Sequence, residues 1–128
     1  MQGLKKEVNS WTNFTIMAKA SMYAYKDLKS FQKEFSPDAI LFDRDGTQVY
    51  CWIDNNIACV AFRGTEPTQW SDIKADLKIR KVKVPTGFVH RGFKDALDEV
   101  WEDVFKWLNE QKRESVFFTG HSLGGALA

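Results

Sequence analysis

The sequence predicts an α/β fold, because two apolar strands are separated by one long amphipathic helix. The strands are expected at about residues 57–63 and 115–119, and the helix lies between them at about 93–111. Apolar residues recur along this helix at steps of three and four: Phe93, Leu97, Val100, Trp101, Val104, Phe105 and Leu108. A strand, a helix and a second strand in this order form a unit with a right-handed crossover and parallel strands. We therefore expect a central, mostly parallel sheet with flanking helices.

The N-terminal third is predicted to contribute a helix and a first strand. A helix is expected over residues 11–28, since an apolar stripe recurs there near the helical period: Ile16, Met17, Ala20, Ala24 and Leu28. The dipeptide Ser36-Pro37 ends that pattern. A short apolar run at 39–42 follows and leads into the polar turn 43–46.

The next segment is predicted to be a β-hairpin, with strands at about 48–54 and 57–63. Asn55-Asn56 forms its two-residue turn, because asparagine tolerates the positive φ that such turns need. This register pairs Asp54 with Ile57 and places Cys51 and Cys59 on opposite faces. A disulfide is therefore disfavoured, and two buried thiols are expected. One face of the hairpin carries an apolar set: Val49, Cys51, Ile53, Ala58, Val60 and Phe62.

Composition excludes several classes of protein. The 128 residues are enough for one domain, and 44% hydrophobic with 27% charged residues is typical of a globular chain rather than a disordered one. A net charge of +1 is too small to attract nucleic acid or an anionic membrane through the electrostatic field of the whole chain. The sequence contains no apolar run of signal-peptide or membrane-spanning length, so a cytoplasmic location is expected.

The strand predicted at 115–119 is continuously apolar, as strands buried on both faces are, and it leads into Gly120-His121-Ser122-Leu123-Gly124. This Gly-x-Ser-x-Gly pattern is typical of a nucleophile elbow, in which a strained strand-to-helix turn exposes the serine. Ser122 is the candidate nucleophile, and the amide of Leu123 is a candidate oxyanion donor. The alternative is a chance match in a glycine-rich turn.

The sequence resembles the class 3 lipase family of α/β-hydrolases over about residues 47–128. Four motifs occur in the family's order: Phe62-Arg63-Gly64-Thr65, Trp70 to Leu77, Val89-His90-Arg91-Gly92-Phe93, and Gly120 to Ala128. The resemblance implies an α/β-hydrolase fold of which residues 1–128 are the N-terminal portion, with the C-terminal half absent. It also implies hydrolysis of carboxylic esters of acylglycerols or related lipids, with no metal or organic cofactor.

The resemblance places Thr65 in an oxyanion loop, as a second donor beside Leu123. A Gly-Thr pair just past a strand end can aim an amide and a hydroxyl into the crevice there, although an ordinary turn threonine is the alternative. Arg63 is interpreted as a structural ion-pair former. Asp72 and Asp76 are interpreted as partners or caps, because the triad acid follows the nucleophile in this fold.

The chain has two histidines, and neither is predicted to be the catalytic base. His121 adjoins Ser122, and in a strained elbow its side chain points away from the nucleophile. His90 precedes the nucleophile, whereas the base of this fold follows it. Both are interpreted as packed or hydrogen-bonded scaffold residues. The triad His and Asp are therefore expected downstream, and these 128 residues alone are expected to be inactive.

The interpretation of two segments and the choice between an enzyme and two other classes of function stay open. Residues 68–77 can form either a mobile lid for a lipid–water interface or an ordinary core-facing helix. The basic run 78–83 suggests anionic-lipid contact, but a solvated strand edge is favoured. A lipid or other ester substrate is expected as partner and nucleic acid is not, with oligomeric state left open. The alternatives to an enzyme are a non-catalytic lipid- or partner-binding module and a half-domain that completes its sheet with a second chain.

Overall fold

The computed structural model describes residues 3–6, 10–44, 46–64, 81–84, 87–121 and 123–128. Within these ranges the helices are α1 (Trp11–Tyr23), α2 (Leu28–Glu34), α3 (Arg91–Glu110) and α4 (Leu123–Leu127). The strands are β1 (Ile40–Arg44), β2 (Thr47–Asp54), β3 (Ile57–Phe62), β4 (Lys81–Val84), β5 (Gly87–His90) and β6 (Ser115–Gly120). No helix in the described ranges is both long and apolar enough to span a bilayer.

The main sheet of the described residues has four strands in the order β1-β2-β3-β6. Strands β3 and β6 are adjacent and parallel, as predicted, and α3 lies between them in the chain. The other two pairings, β1 with β2 and β2 with β3, are antiparallel. The described sheet is thus mixed rather than mostly parallel, because two short turns at its N-terminal side can join only antiparallel neighbours.

The predicted hairpin register is confirmed. Asp54 pairs with Ile57, and Asn55 and Asn56 adopt φ values of 50° and 63°. Cys51 and Cys59 are both buried, unbonded to each other, and belong to different core clusters. The polar turn before β2 also uses a positive φ, at Gly46 (86°).

The sheet separates two apolar layers. On one face α1 and α2 pack against side chains of β2, β3 and β6, including Tyr50, Trp52 and Cys59. On the other face Val100, Val104 and Leu108 of α3 pack against the predicted apolar set of the hairpin. Leu127 brings α4 into this second layer.

The single helix predicted at 11–28 is confirmed for residues 11–23 and is wrong beyond them. α1 ends at Tyr23, a turn follows, and a separate helix begins at Leu28. The break arises because Asp27 caps α2, its carboxylate accepting a hydrogen bond from the Ser30 amide at 2.8 Å. Aspartate is a preferred N-cap residue, and this start signal was obscured by the apolar stripe.

Two predictions of burial are also corrected. The helix predicted at 93–111 is present, but Trp101 and Phe105 are 39% and 53% exposed. They lie one residue beyond buried Val100 and Val104, which turns them about 100° away from the sheet. β6 is half-buried rather than fully buried, and Phe118 is 40% exposed. The reason is that β6 is the outer strand of the sheet in the described part of the chain.

The segment before α3 forms a second, two-stranded antiparallel sheet of β4 and β5. Residues 81–83 of the basic run 78–83 lie in β4, which confirms the strand part of that interpretation for them; exposure of the strand edge stays a prediction. β5 ends at His90 and α3 begins at Arg91, so the histidine directly precedes the long helix.

Candidate active site

The carboxyl ends of two neighbouring strands meet at one edge of the main sheet. Strands β3 and β6 run parallel, and their last pair is Phe62 with Gly120. The residues that follow the two strands therefore lie side by side. They are Arg63 and Gly64 after β3 and His121 after β6. In open α/β sheets this carboxyl edge is where ligands bind.

The strand–turn–helix context of the predicted elbow is confirmed. β6 ends at Gly120 and α4 begins at Leu123, and the amide of Gly124 donates to the His121 carbonyl at 3.0 Å. Leu123 is the first residue of α4, so its N–H belongs to the first helical turn, where amides lack intrahelical acceptors. Ser122 itself lies outside the described residues.

The glycines on either side of the elbow occupy positions with no room for a side chain. A Cβ on Gly120 would collide with the backbone of Gly124, and its separation from the Gly125 amide nitrogen would be 2.6 Å. A Cβ on Gly124 would collide with the Phe62 carbonyl and would lie 2.9 Å from the Gly64 nitrogen. The spacing of the motif thus has the predicted steric cause, close approach of neighbouring backbone.

Gly64 brings the end of β3 against this same turn. A Cβ there would collide with the His121 carbonyl oxygen and lie 3.2 Å from the Gly124 nitrogen. Thr65 follows Gly64 directly in the chain but lies outside the described residues. Its role as an oxyanion donor, like that of Leu123, stays a prediction.

The side chain of His121 is hydrogen-bonded to Tyr25, which lies in the turn between α1 and α2. Its Nδ1 lies 3.1 Å from the hydroxyl of Tyr25, and the two rings meet edge to face with centroids 6.0 Å apart. A hydrogen-bonded scaffold role for His121, as the sequence predicts, agrees with these contacts. Tyr25 was not predicted at this site, since a contact between residues 96 positions apart leaves no local signal.

Arg63 ties the end of β3 to the neighbouring strand. Its guanidinium donates to the Gln48 side-chain oxygen at 2.7 Å, and its amide donates to the Gln48 carbonyl at 2.9 Å. The guanidinium carbon also lies 6.0 Å from the ring centroid of Tyr25. A structural role for Arg63 agrees with these contacts, and its expected ion pair stays a prediction.

The remaining predictions concern Asp72, Asp76, the segment 68–77 and His90. Asp72, Asp76 and the whole of segment 68–77 lie outside the described residues. The backbone of His90 pairs with Lys81 in the second sheet. Across the described ranges, no three His, Cys, Asp or Glu side chains are grouped as metal ligands would be.

Solved lipase structures share this fold. A lipase from Rhizopus microsporus var. chinensis superimposes with a TM-score of 0.67 at 22% identity, covering 99% of this chain and 51% of the lipase. The triacylglyceride lipase of Rhizomucor miehei superimposes with a TM-score of 0.57 at 20% identity, covering 98% of this chain and 54% of that one. The present chain therefore has an α/β-hydrolase fold and spans about half the length of these two lipases.

Sequence comparison identifies the family. No curated protein matches the chain significantly. The sequence profile of the family described as lipase (class 3) matches residues 59–128, which include most of β3, all of α3 and the elbow, and make up 70 of the 128 residues. The chain belongs to the class 3 lipase family.

Proposed function

We propose that the protein is a serine hydrolase that cleaves carboxylic esters of acylglycerols or related lipids, with residues 1–128 forming the N-terminal portion of its catalytic domain. One observation carries the proposal: the backbone after β3, at Gly64, abuts the turn that contains the elbow, at His121 and Gly124. A nucleophile and two oxyanion donors must touch one carbonyl group, so their segments must meet at one place.

In the proposed reaction the Ser122 hydroxyl oxygen attacks the ester carbonyl carbon. The carbonyl oxygen takes up the negative charge and is held by the Leu123 amide and by Thr65. A histidine from beyond residue 128 accepts the serine proton and returns it to the departing alcohol, and an aspartate orients that histidine. Water then hydrolyses the acyl-serine ester by the same steps, releasing the carboxylic acid and the free serine.

The class of substrate rests on the family and on a structural relative. The chain belongs to the class 3 lipases, and the Rhizomucor miehei relative is a triacylglyceride lipase. Esters of glycerol with fatty acids are therefore the first substrates to test. A lipid–water interface as the place of action is part of the same proposal.

The test uses the natural gene product that contains these residues, assayed with tributyrin and p-nitrophenyl butyrate. Ser122→Ala should abolish turnover of both. Ser115→Ala is the matched control, because Ser115 starts the same strand at the opposite edge of the sheet, paired with Ile57. A fluorophosphonate should label the unsubstituted protein and Ser115→Ala at Ser122, displacing fluoride, and leave Ser122→Ala unlabelled.

Two results would contradict the proposal. Turnover that survives Ser122→Ala would assign the chemistry to another group. Binding of lipid without hydrolysis or labelling would instead support a non-catalytic lipid-binding module on the lipase scaffold.

A further inference from the structure

Tyr25 lies in the short turn between α1 and α2. Hydrogen bonds from two strands hold this turn and the preceding helix against the sheet. The Tyr50 hydroxyl of β2 donates to the carbonyl of Lys26 at 2.6 Å, and burial raises the pKa of Tyr50, so this donor keeps its proton. At the other side, the Thr119 hydroxyl of β6 donates to the Met17 carbonyl at 3.0 Å. The position of Tyr25 is thus set by strands on both sides of it.

The Tyr25 hydroxyl contacts the backbone that follows both β3 and β6. It lies 3.1 Å from Nδ1 of His121 and 3.4 Å from the His121 carbonyl oxygen. On the β3 side it lies so close to Gly64 that a Cβ there would be 2.5 Å from it. Gly64 and His121 immediately precede Thr65 and Ser122, so one hydroxyl group touches both segments of the proposed site.

The hydrogen-bonding capacity of the two partners matches this arrangement. A tyrosine hydroxyl has one proton to donate and lone pairs to accept with. With the His121 proton on Nδ1, the imidazole donates to the tyrosine oxygen, and the tyrosine hydroxyl donates to the His121 carbonyl. Side chain and backbone of His121 are then both held by one residue of the α1–α2 turn.

We infer that Tyr25 is a positioning residue that holds the β3 and β6 turns at the separation required for oxyanion binding. The inference rests on the proposed function, because it assigns Tyr25 a part in that same reaction. Tyr25 acts through Gly64 and His121 and does not itself contact the substrate. Loss of the hydroxyl should loosen the alignment of Leu123 and Thr65 with the oxyanion while leaving substrate binding in place.

The experiment compares Tyr25→Phe with Tyr23→Phe in the natural gene product. The control removes the same hydroxyl two residues earlier, where the tyrosine ring packs edge to face against Phe35 at the end of α2, away from the elbow. With p-nitrophenyl butyrate, Tyr25→Phe should lower kcat about tenfold and change KM by less than about twofold, as expected when only transition-state alignment is lost. Affinity for an alkyl boronic acid, which forms a tetrahedral adduct on Ser122, should fall in parallel. Tyr23→Phe should change none of these values.

A second measurement separates alignment from general loss of stability. Hydrogen exchange of the Gly124 amide, which bonds the His121 carbonyl, should accelerate in Tyr25→Phe and stay unchanged in Tyr23→Phe. Equal kcat values for the two variants would overturn the inference and leave the proposed function intact. An unsubstituted protein without Ser122-dependent turnover would overturn both.

Discussion

Substituting Gly124 by alanine tests whether close backbone approach at the elbow is required. The added Cβ would lie 2.9 Å from the Gly64 nitrogen, and it would be nearer still to the Phe62 carbonyl oxygen. Ordinary van der Waals contact begins near 3.4 Å, and the overlap with the Phe62 oxygen is the larger of the two, so the end of β3 or the elbow must move by about 1 Å. Both neighbours are backbone atoms, so no side-chain rotation can relieve the overlap.

The same displacement predicts two measurable losses. Overpacking of this kind destabilises a protein by about 1–3 kcal/mol. A misplacement of about 1 Å costs on the order of 10²-fold in rate, so kcat/KM should fall by about that factor. The free energy of unfolding can be measured by urea denaturation followed by tryptophan fluorescence, and kcat/KM with p-nitrophenyl butyrate in the natural gene product.

Gly125→Ala is the matched control for this experiment. It adds the same methyl group to the same helix and gains the same helix propensity of about 1 kcal/mol. Its Cβ would lie 3.0 Å from the Gly120 oxygen and 3.6 Å from the Gly120 carbonyl carbon, a far smaller conflict. The difference between the two variants therefore isolates the overlap at Gly124. Equal stability and equal kcat/KM for the two would refute the steric argument.

Three further predictions concern the base, the oxyanion donor and the thiols. A polypeptide of residues 1–128 should turn over p-nitrophenyl esters about 10⁴–10⁶-fold more slowly than a complete triad allows; robust Ser122-dependent turnover would show that a base is present within it. Thr65→Ala should lower kcat by about 10²-fold and Thr65→Ser far less if the hydroxyl bonds the oxyanion; equal loss in both would exclude the hydroxyl. Burial raises the pKa of Cys51 to about 12 and raises that of Cys59 as well, so both stay protonated in the fold. Unfolded thiols ionise near pH 8.5, so the free energy of unfolding should fall as pH rises from about 9 toward 12. A Cys51→Ala, Cys59→Ala protein that keeps the same alkaline slope would contradict this cause.

Local patterns were sufficient to predict much of the fold. The Asn55-Asn56 turn and the two-residue alternation around it determine the hairpin register, because slipping by one residue would turn the apolar face outward. The apolar repeat of α3 predicts which side of the helix packs against the sheet, because residues three and four positions apart lie on one side of a helix. The elbow was recognisable because its glycines are required by contacts within a few residues, Gly120 with Gly124.

The sequence by itself thus determined the elements whose causes are local: the hairpin register, the long helix and the strand–turn–helix around the candidate nucleophile. The tertiary structure decided what depends on distant partners. It showed that Gly64 lies against the elbow and that Tyr25 reaches His121, a contact between residues 96 positions apart. It also showed that β6 is only half-buried, because the exposure of a strand depends on what lies beside it in the sheet. The spacing of apolar residues shows which side of a helix or strand is apolar. Which neighbour covers that side depends on the packing of the whole chain.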